Sequence, residues 1–128
     1  MNRLFDPASI AKPVANYTHG VEVSAGSRWL VVSGQVGVTP DGKVAEGFEA
    51  QARAAMNNLT AILKDAGMDW RDVVKVTAFI LDRADLAALR KVRGEVQGGA
   101  KPASTLLIVA GLAAPEFLVE IELVAAKG

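Results

Sequence analysis

The chain has no cysteine, only one histidine and no excess of either charge. Without thiols it can form neither disulfides nor thiolate metal sites, and a cysteine nucleophile is excluded. Basic and acidic residues both number 14, so no net charge attracts a nucleic-acid backbone. The single histidine, His19, has no second ligand-type residue at the spacing of a metal site. We therefore expect no metal, no other cofactor and no nucleic-acid partner.

Long apolar runs are also missing. The longest, over residues 106–114, is too short to span a bilayer, and the first residues lack the apolar stretch of a signal peptide. The sequence therefore predicts a cytoplasmic protein with no membrane partner. What is present is the composition of an ordinary globular protein, 51% apolar and 22% charged, which predicts one domain over residues 1–128.

The periodicity of apolar residues predicts the secondary structure. Residues 1–16, with two prolines, predict an irregular lead-in. Apolar and β-branched runs then predict strands at about residues 18–23, 29–34, 73–81, 103–109 and 117–125. Apolar residues at three- and four-residue steps predict one helix between Gly47 and Gly67 and a second between Asp85 and Gly98. The order ββαβαββ predicts an α+β fold in which both helices pack on one face of a single sheet.

The last predicted strand has two unlike faces. One carries Val119, Ile121 and Leu123, and the other carries Leu118, Glu120, Glu122 and Val124. The first face is apolar and can pack in a core under the helices. The second face combines apolar and charged side chains, so neither full exposure to water nor burial in a core is favourable for it. We therefore expect the helix-free side of the sheet to be covered by other copies of the chain.

Short motifs along nearly the whole chain, from about residue 13 to residue 126, resemble the RidA/YjgF family. They are Tyr17 and Gly20, Ser33-Gly34-Gln35, Gln51-Ala52-Arg53, Asn58-Leu59, Ala66-Gly67, Asp72-Val73-Val74-Lys75 with Thr77 and Phe79, Pro102-Ala103 and Val119-Glu120-Ile121-Glu122. The resemblance implies a chorismate-mutase-like fold and a homotrimer with small-molecule clefts between subunits. In the best-studied branch it also implies hydrolysis of reactive imines and enamines to 2-oxo acids and ammonia.

The resemblance also implies roles for individual residues. Glu120 matches the family's water-orienting glutamate, and Tyr17 and Gly34 match residues that line the cleft. Ser104 stands where that branch has the arginine that holds the substrate carboxylate. Because hydrogen bonds to charged groups contribute roughly 1.5–3 kcal/mol, this change should weaken a 2-imino acid complex at least tenfold. His19 lies near the expected cleft and is a further candidate ligand contact.

The second helix offers a substitute cation at the position of a family cleft asparagine. Arg90 could reach the same carboxylate from another wall of the cleft. The alternative is a solvated, charge-balanced helix face made of Arg90, Lys91, Arg93, Asp82, Asp85 and Glu95.

Three functions remain open at the level of sequence. The first is a hydrolase of imines or enamines that lacks a strongly held substrate carboxylate, with Glu120 orienting water. The second is a trimer that binds a ligand or a protein without catalysis, which the absent arginine favours. The third, an endoribonuclease, is disfavoured by the zero net charge and the single histidine.

Overall fold

A four-stranded mixed sheet forms the centre of the molecule. A computed structural model describes residues 2–128. Its elements are β1 (Arg3–Phe5), β2 (Gly20–Glu22), β3 (Arg28–Val36), α1 (Phe48–Asp65), β4 (Val73–Ile80), α2 (Leu86–Gln97), β5 (Ala103–Ile108) and β6 (Val119–Lys127). The central strands lie in the order β3-β6-β4-β5. β6 is antiparallel to both of its neighbours, whereas β4 and β5 are parallel.

Both helices pack on one face of this sheet, as the sequence predicts. The apolar positions of α1 that recur at helical spacing, among them Ala52, Ala55 and Leu59, are completely buried. In α2, Leu89 and Val92 are also completely buried. The predicted α+β class, with the helices on one side, is confirmed.

Both helices lie within the intervals that the sequence predicts, and their ends differ in how they are capped. Gly67, just beyond α1, has a φ of 71°, the left-handed conformation that favours glycine after a helix. α2 begins directly after Asp85, but the side chain of Asp85 makes no capping bond. Asp82 caps the preceding 3-10 turn instead, where its carboxylate accepts the N–H of Ala84 at 2.9 Å.

The two faces of β6 differ as predicted. Val119, Ile121 and Leu123 are buried under the helices. Glu120 pairs across the sheet with Phe79 and with Val36, so it lies on the helix-free face. That face also exposes large apolar side chains, because Val31 is 77% and Trp29 is 58% accessible.

The N-terminal region corrects two expectations. Residues 3–5 form a strand where an irregular lead-in was predicted, and the predicted first strand pairs with it in a separate two-stranded sheet, Arg3 opposite Glu22 and Phe5 opposite Gly20. Three residues are too few to show a period, and their partners lie 15 to 19 positions away in the sequence. Met1, the start of the predicted lead-in, is outside the described residues. In residues 2–128 neither helix has the length and apolar character needed to cross a bilayer.

Candidate functional site

A cavity of about 410 Å³ lies at the edge of the central sheet. The lead-in forms one wall with residues 14–17, and α2 and β5 form the rest with Leu86, Leu89, Arg90, Arg93, Gly94, Gln97, Ser104 and Leu106. Ser104 pairs with Val76, which is buried on the helix-covered face, so Ser104 points toward α2. Three predicted site residues, Tyr17, Arg90 and Ser104, therefore meet in this cavity.

Arg93 is the cavity residue that the sequence analysis assigned wrongly. Its guanidinium is half-buried: Nε donates to Oε1 of Gln97 at 2.8 Å, and Nη1 donates to Oγ of Ser104 at 3.0 Å. Glu95, an expected counter-charge, pairs with Arg53 at 2.6 Å. Arg93 is not part of a solvated face because it follows the buried Leu89 by one helical turn.

The positive charge of Arg93 is not neutralised within the protomer. Within residues 2–128, no carboxylate oxygen lies within 4.0 Å of the guanidinium. Burial lowers the pKa of Arg93 to about 10. The side chain is still a cation at neutral pH. Its orientation is fixed by Gln97, which is itself buried and donates from Nε2 to the carbonyl of Ala100 at 3.3 Å.

Tyr17 reaches the cavity because its neighbour is tied to the sheet. The N–H of Thr18 donates to the carbonyl of Pro102 at 3.4 Å, directly before β5. The Tyr17 ring meets the His19 ring edge-on, with centroids 6.1 Å apart.

His19 does not line the cavity of one protomer. Its Nδ1 is buried, lies 3.4 Å from the Asp6 carboxylate and lacks the geometry of a hydrogen bond. The residues that the structure describes contain no cluster of three His, Asp or Glu side chains able to hold a metal. The role of His19 as a ligand contact stays a prediction.

Glu120 and Gly34 form a second candidate group, on the opposite face of the sheet. The pairing of β3 with β6 shifts between Val32 and Gln35, and the resulting irregularity places Gly34 against the Glu120 side chain. A β-carbon at position 34 would lie 2.8 Å from Cδ of Glu120. Only a glycine leaves room for the carboxylate here. Among residues 2–128 the Glu120 carboxylate has no hydrogen-bond or ion-pair partner; the nearest acid on its strand face is Glu122, which is more exposed.

One protomer cannot bring the two groups together around a small ligand. Ser104 and Glu120 are separated by two strand spacings and, measured along β4 from Val76 to Phe79, by three residues. This corresponds to about 14 Å between their backbones, with the side chains on opposite faces of the sheet. A cleft that uses both groups needs residues from two copies of the chain.

Comparison with known proteins places this architecture in a family. The family model described as endoribonuclease L-PSP matches residues 8–127. A RutC family protein of Pyrococcus abyssi is 33% identical, over 91% of this chain and 90% of that protein. A mouse protein named 2-iminobutanoate/2-iminopropanoate deaminase is 34% identical, over 90% of this chain and 84% of its own length.

A solved structure agrees with these sequence matches. The crystal structure of a Rid-family protein of unknown function from Yersinia pestis superposes with a TM-score of 0.88 at 30% identity, covering 98% of both chains. The same two-helix arrangement on a mixed sheet is therefore present in a relative. The chain belongs to the RidA/YjgF family.

Proposed function

We propose that this protein hydrolyses imines or enamines of small metabolites in clefts formed between the subunits of a homotrimer. The observation that carries the proposal is the Glu120 carboxylate, which is half-buried beside Gly34 and has no partner in the described part of the protomer. An acid with no structural partner is available as a general base. The name of the mouse relative supports the imine as the reacting group.

The reaction needs one water molecule and no cofactor. Glu120 accepts a proton from the water as the water oxygen bonds to the imine carbon, and it passes this proton to the imine nitrogen. In the resulting tetrahedral intermediate the hydroxyl group gives its proton to Glu120, which passes it to the amino nitrogen. The C–N bond then breaks, and ammonia leaves a carbonyl product. Gly34 has no side chain that would occupy the space of the carboxylate, and Tyr17 and Ser104 line the cavity around the ligand.

The division of these residues between two faces supports an assembly of more than one copy. A ligand in the cavity touches Ser104 and Tyr17 of one copy, and Glu120 must come from another. The exposed Val31 and Trp29 lie on the same helix-free face as Glu120 and supply apolar area for the contact. A heterologous contact forms a ring when its rotation closes, and the family resemblance implies a threefold ring.

The test is hydrolysis of 2-iminopropanoate, 2-iminobutanoate and several amine-derived imines generated enzymatically in the assay. We expect Glu120→Gln to lower turnover by about 100-fold or more, because it removes the base. Glu122→Gln, two residues further along the same face, is the matched control and should retain turnover. Wild-type protein that accelerates none of these hydrolyses would eliminate the proposal.

A non-catalytic trimer that binds a ligand or a protein is the second candidate. The half-buried, unneutralised Arg93 favours it as strongly as it favours catalysis, because binding alone explains such a cation. Glu120→Ala separates the two functions: a catalyst loses turnover, whereas a binder loses only affinity or nothing.

An endoribonuclease, the activity in the name of the matching family model, is the third candidate. The balanced charge and the single histidine still argue against it. Digestion of RNA by wild-type protein, lost in the Glu120→Gln variant, would support it over the other two.

A further inference from the structure

We infer that Arg93 of α2 is the residue that binds the anionic group of the ligand, beside the position where Ser104 replaces an arginine. The inference rests on the proposed function for the location of the cleft and adds the residue that holds the negative charge of the ligand. The positive charge that holds the ligand is then the guanidinium of Arg93, and neither Arg90 nor Ser104 supplies it.

Arg93 lines the cavity, and its hydrogen bonds use only some of its donors. A guanidinium has five N–H donors in a planar fork. Two are used, one by Gln97 and one by Ser104, so three remain, including both on Nη2. A carboxylate is the group whose two oxygens match neighbouring N–H donors of such a fork.

The surroundings of Arg93 favour an anion as the missing partner. The pKa of the guanidinium is lowered because the protein excludes water from the charged form without supplying a negative charge. No aspartate or glutamate lines the cavity. A ligand carboxylate would supply the missing charge, and binding would then be coupled to a gain in stability.

Ser104 and Gln97 fix the orientation of this cation. Ser104 Oγ accepts from Nη1 and keeps its own hydroxyl hydrogen, which can be donated to a ligand oxygen. Gln97 accepts from Nε. Both are positioning residues for the guanidinium, and the serine can also touch the ligand.

The rest of the cavity sets the size and polarity of the ligand tail. Leu86, Leu89 and Leu106 line it, and its volume of about 410 Å³ is modest. Arg90 also lines it but is exposed, so water screens its charge. A short aliphatic 2-imino or 2-oxo acid fits both the apolar walls and the single desolvated cation.

Calorimetric titration with 2-oxobutanoate and butanone tests the inference, since the two probes differ by the carboxylate. We expect wild-type protein to bind 2-oxobutanoate at least about tenfold more tightly, and Arg93→Met to abolish that preference. Arg83→Met removes an exposed charge outside the cavity and should change the Kd by less than about threefold.

Two results overturn the inference: wild-type protein without a preference for the carboxylate, or an Arg93→Met variant that keeps it. Turnover is measured separately. Carboxylate binding through Arg93 without imine hydrolysis would reject the proposed catalysis alone, whereas hydrolysis unaffected by Arg93→Met would reject the anchor alone.

A measurement on the wild-type protein covers the case in which Arg93→Met fails to fold. Phenylglyoxal modifies accessible arginines, and mass spectrometry locates the adducts. We expect 2-oxobutanoate, but not butanone, to slow modification of Arg93 by about tenfold while Arg53, paired with Glu95, is unaffected. Equal modification rates with and without 2-oxobutanoate would count against the assignment.

Discussion

Arg93 and Gln97 lie one helical turn apart in α2. A change in their contact should therefore alter both the free energy of unfolding and the affinity for the ligand. Gln97→Glu keeps the acceptor 2.8 Å from Nε and places a negative charge beside an unneutralised cation, while it loses the longer 3.3 Å bond from Nε2 to the carbonyl of Ala100. We expect the free energy of unfolding at pH 7 to rise by about 1 kcal/mol, and the affinity for 2-oxobutanoate to fall by about tenfold. Thermal melts and titrations measure both effects.

The pH dependence of this variant separates the charge effect from a change in packing. Arg93 would lower the pKa of the introduced carboxyl in the folded state. The added stability is then present above about pH 4.3, the ordinary value for a glutamate, and is lost as the pH falls through the folded value. A gain that persists unchanged at acid pH would show that the guanidinium is not responsible.

The glycine beside Glu120 gives a second prediction at this scale. In Gly34→Ala the new methyl group would overlap a flexible carboxylate, so Glu120 should move and the fold should survive. We expect turnover to fall by about 100-fold, with little change in the free energy of unfolding. Gly37→Ala is the contrast, because its methyl group would lie 2.6 Å from the backbone Cα of Gln51 and should cost about 2 kcal/mol or more.

The sequence predicted the cavity residues better than their partners. Tyr17, Arg90 and Ser104 do line one cavity, and Gly34 does meet Glu120. Arg93 was missed because three cations within four residues suggest a solvated face. Its spacing of four from Leu89 and from the buried Gln97 was the available signal. The lack of a nearby carboxylate depends on tertiary contacts, which no local pattern reveals.

At the scale of elements, Gln51 of α1 holds the chain that enters β6. Its Nε2 donates to the carbonyls of Ala45 and Glu116 at 3.1 and 2.9 Å, and its Oε1 accepts the N–H of Leu118 at 2.9 Å. We expect Gln51→Met to cost about 2–3 kcal/mol in the free energy of unfolding, since it leaves buried backbone groups unpaired. Asn57→Met, on the exposed side of α1, should stay within about 0.5 kcal/mol in the same denaturant titration.

Gly94 lowers the stability of α2, and no steric contact requires a glycine at this position. A β-carbon at this position meets nothing within 4 Å, and the backbone is ordinary helix. Gly94→Ala should raise the free energy of unfolding by about 0.5–1 kcal/mol, measured by denaturant titration. A destabilised variant would show that α2 needs the flexibility of glycine beside the cavity.

Elements with a clear period were predictable, and elements made by distant pairing were not. α1 and β6 bury the faces that the spacing of their apolar residues indicates, because the period of a helix or a strand fixes which residues share a face. β1 exists only because Arg3–Phe5 meets β2 across the lead-in, with Gly20 leaving room for the Phe5 ring. The assignment of β2 to the N-terminal sheet was missed for the same reason.

At the scale of the whole molecule, assembly should depend on the helix-free face. Three copies of 13.4 kDa would give a particle of about 40 kDa. Val31→Lys places a charge on the exposed apolar patch of β3, and we expect sedimentation to show monomers and the assay to show no turnover. Ala61→Lys, on the exposed surface of α1, should remain a fully active trimer.

Division of the site between copies predicts complementation of two inactive proteins. Arg93→Met removes the anion-binding group of the cavity, and Glu120→Gln removes the base on the opposite face. Each homotrimer should be inactive. After the two are mixed, unfolded and refolded together, a cleft is intact when its cavity comes from the Glu120→Gln chain and its Glu120 from the Arg93→Met chain. Random assembly makes about one cleft in four intact, so about a quarter of wild-type turnover should return. If both residues acted within one protomer, mixing would restore none, because every chain lacks one of them.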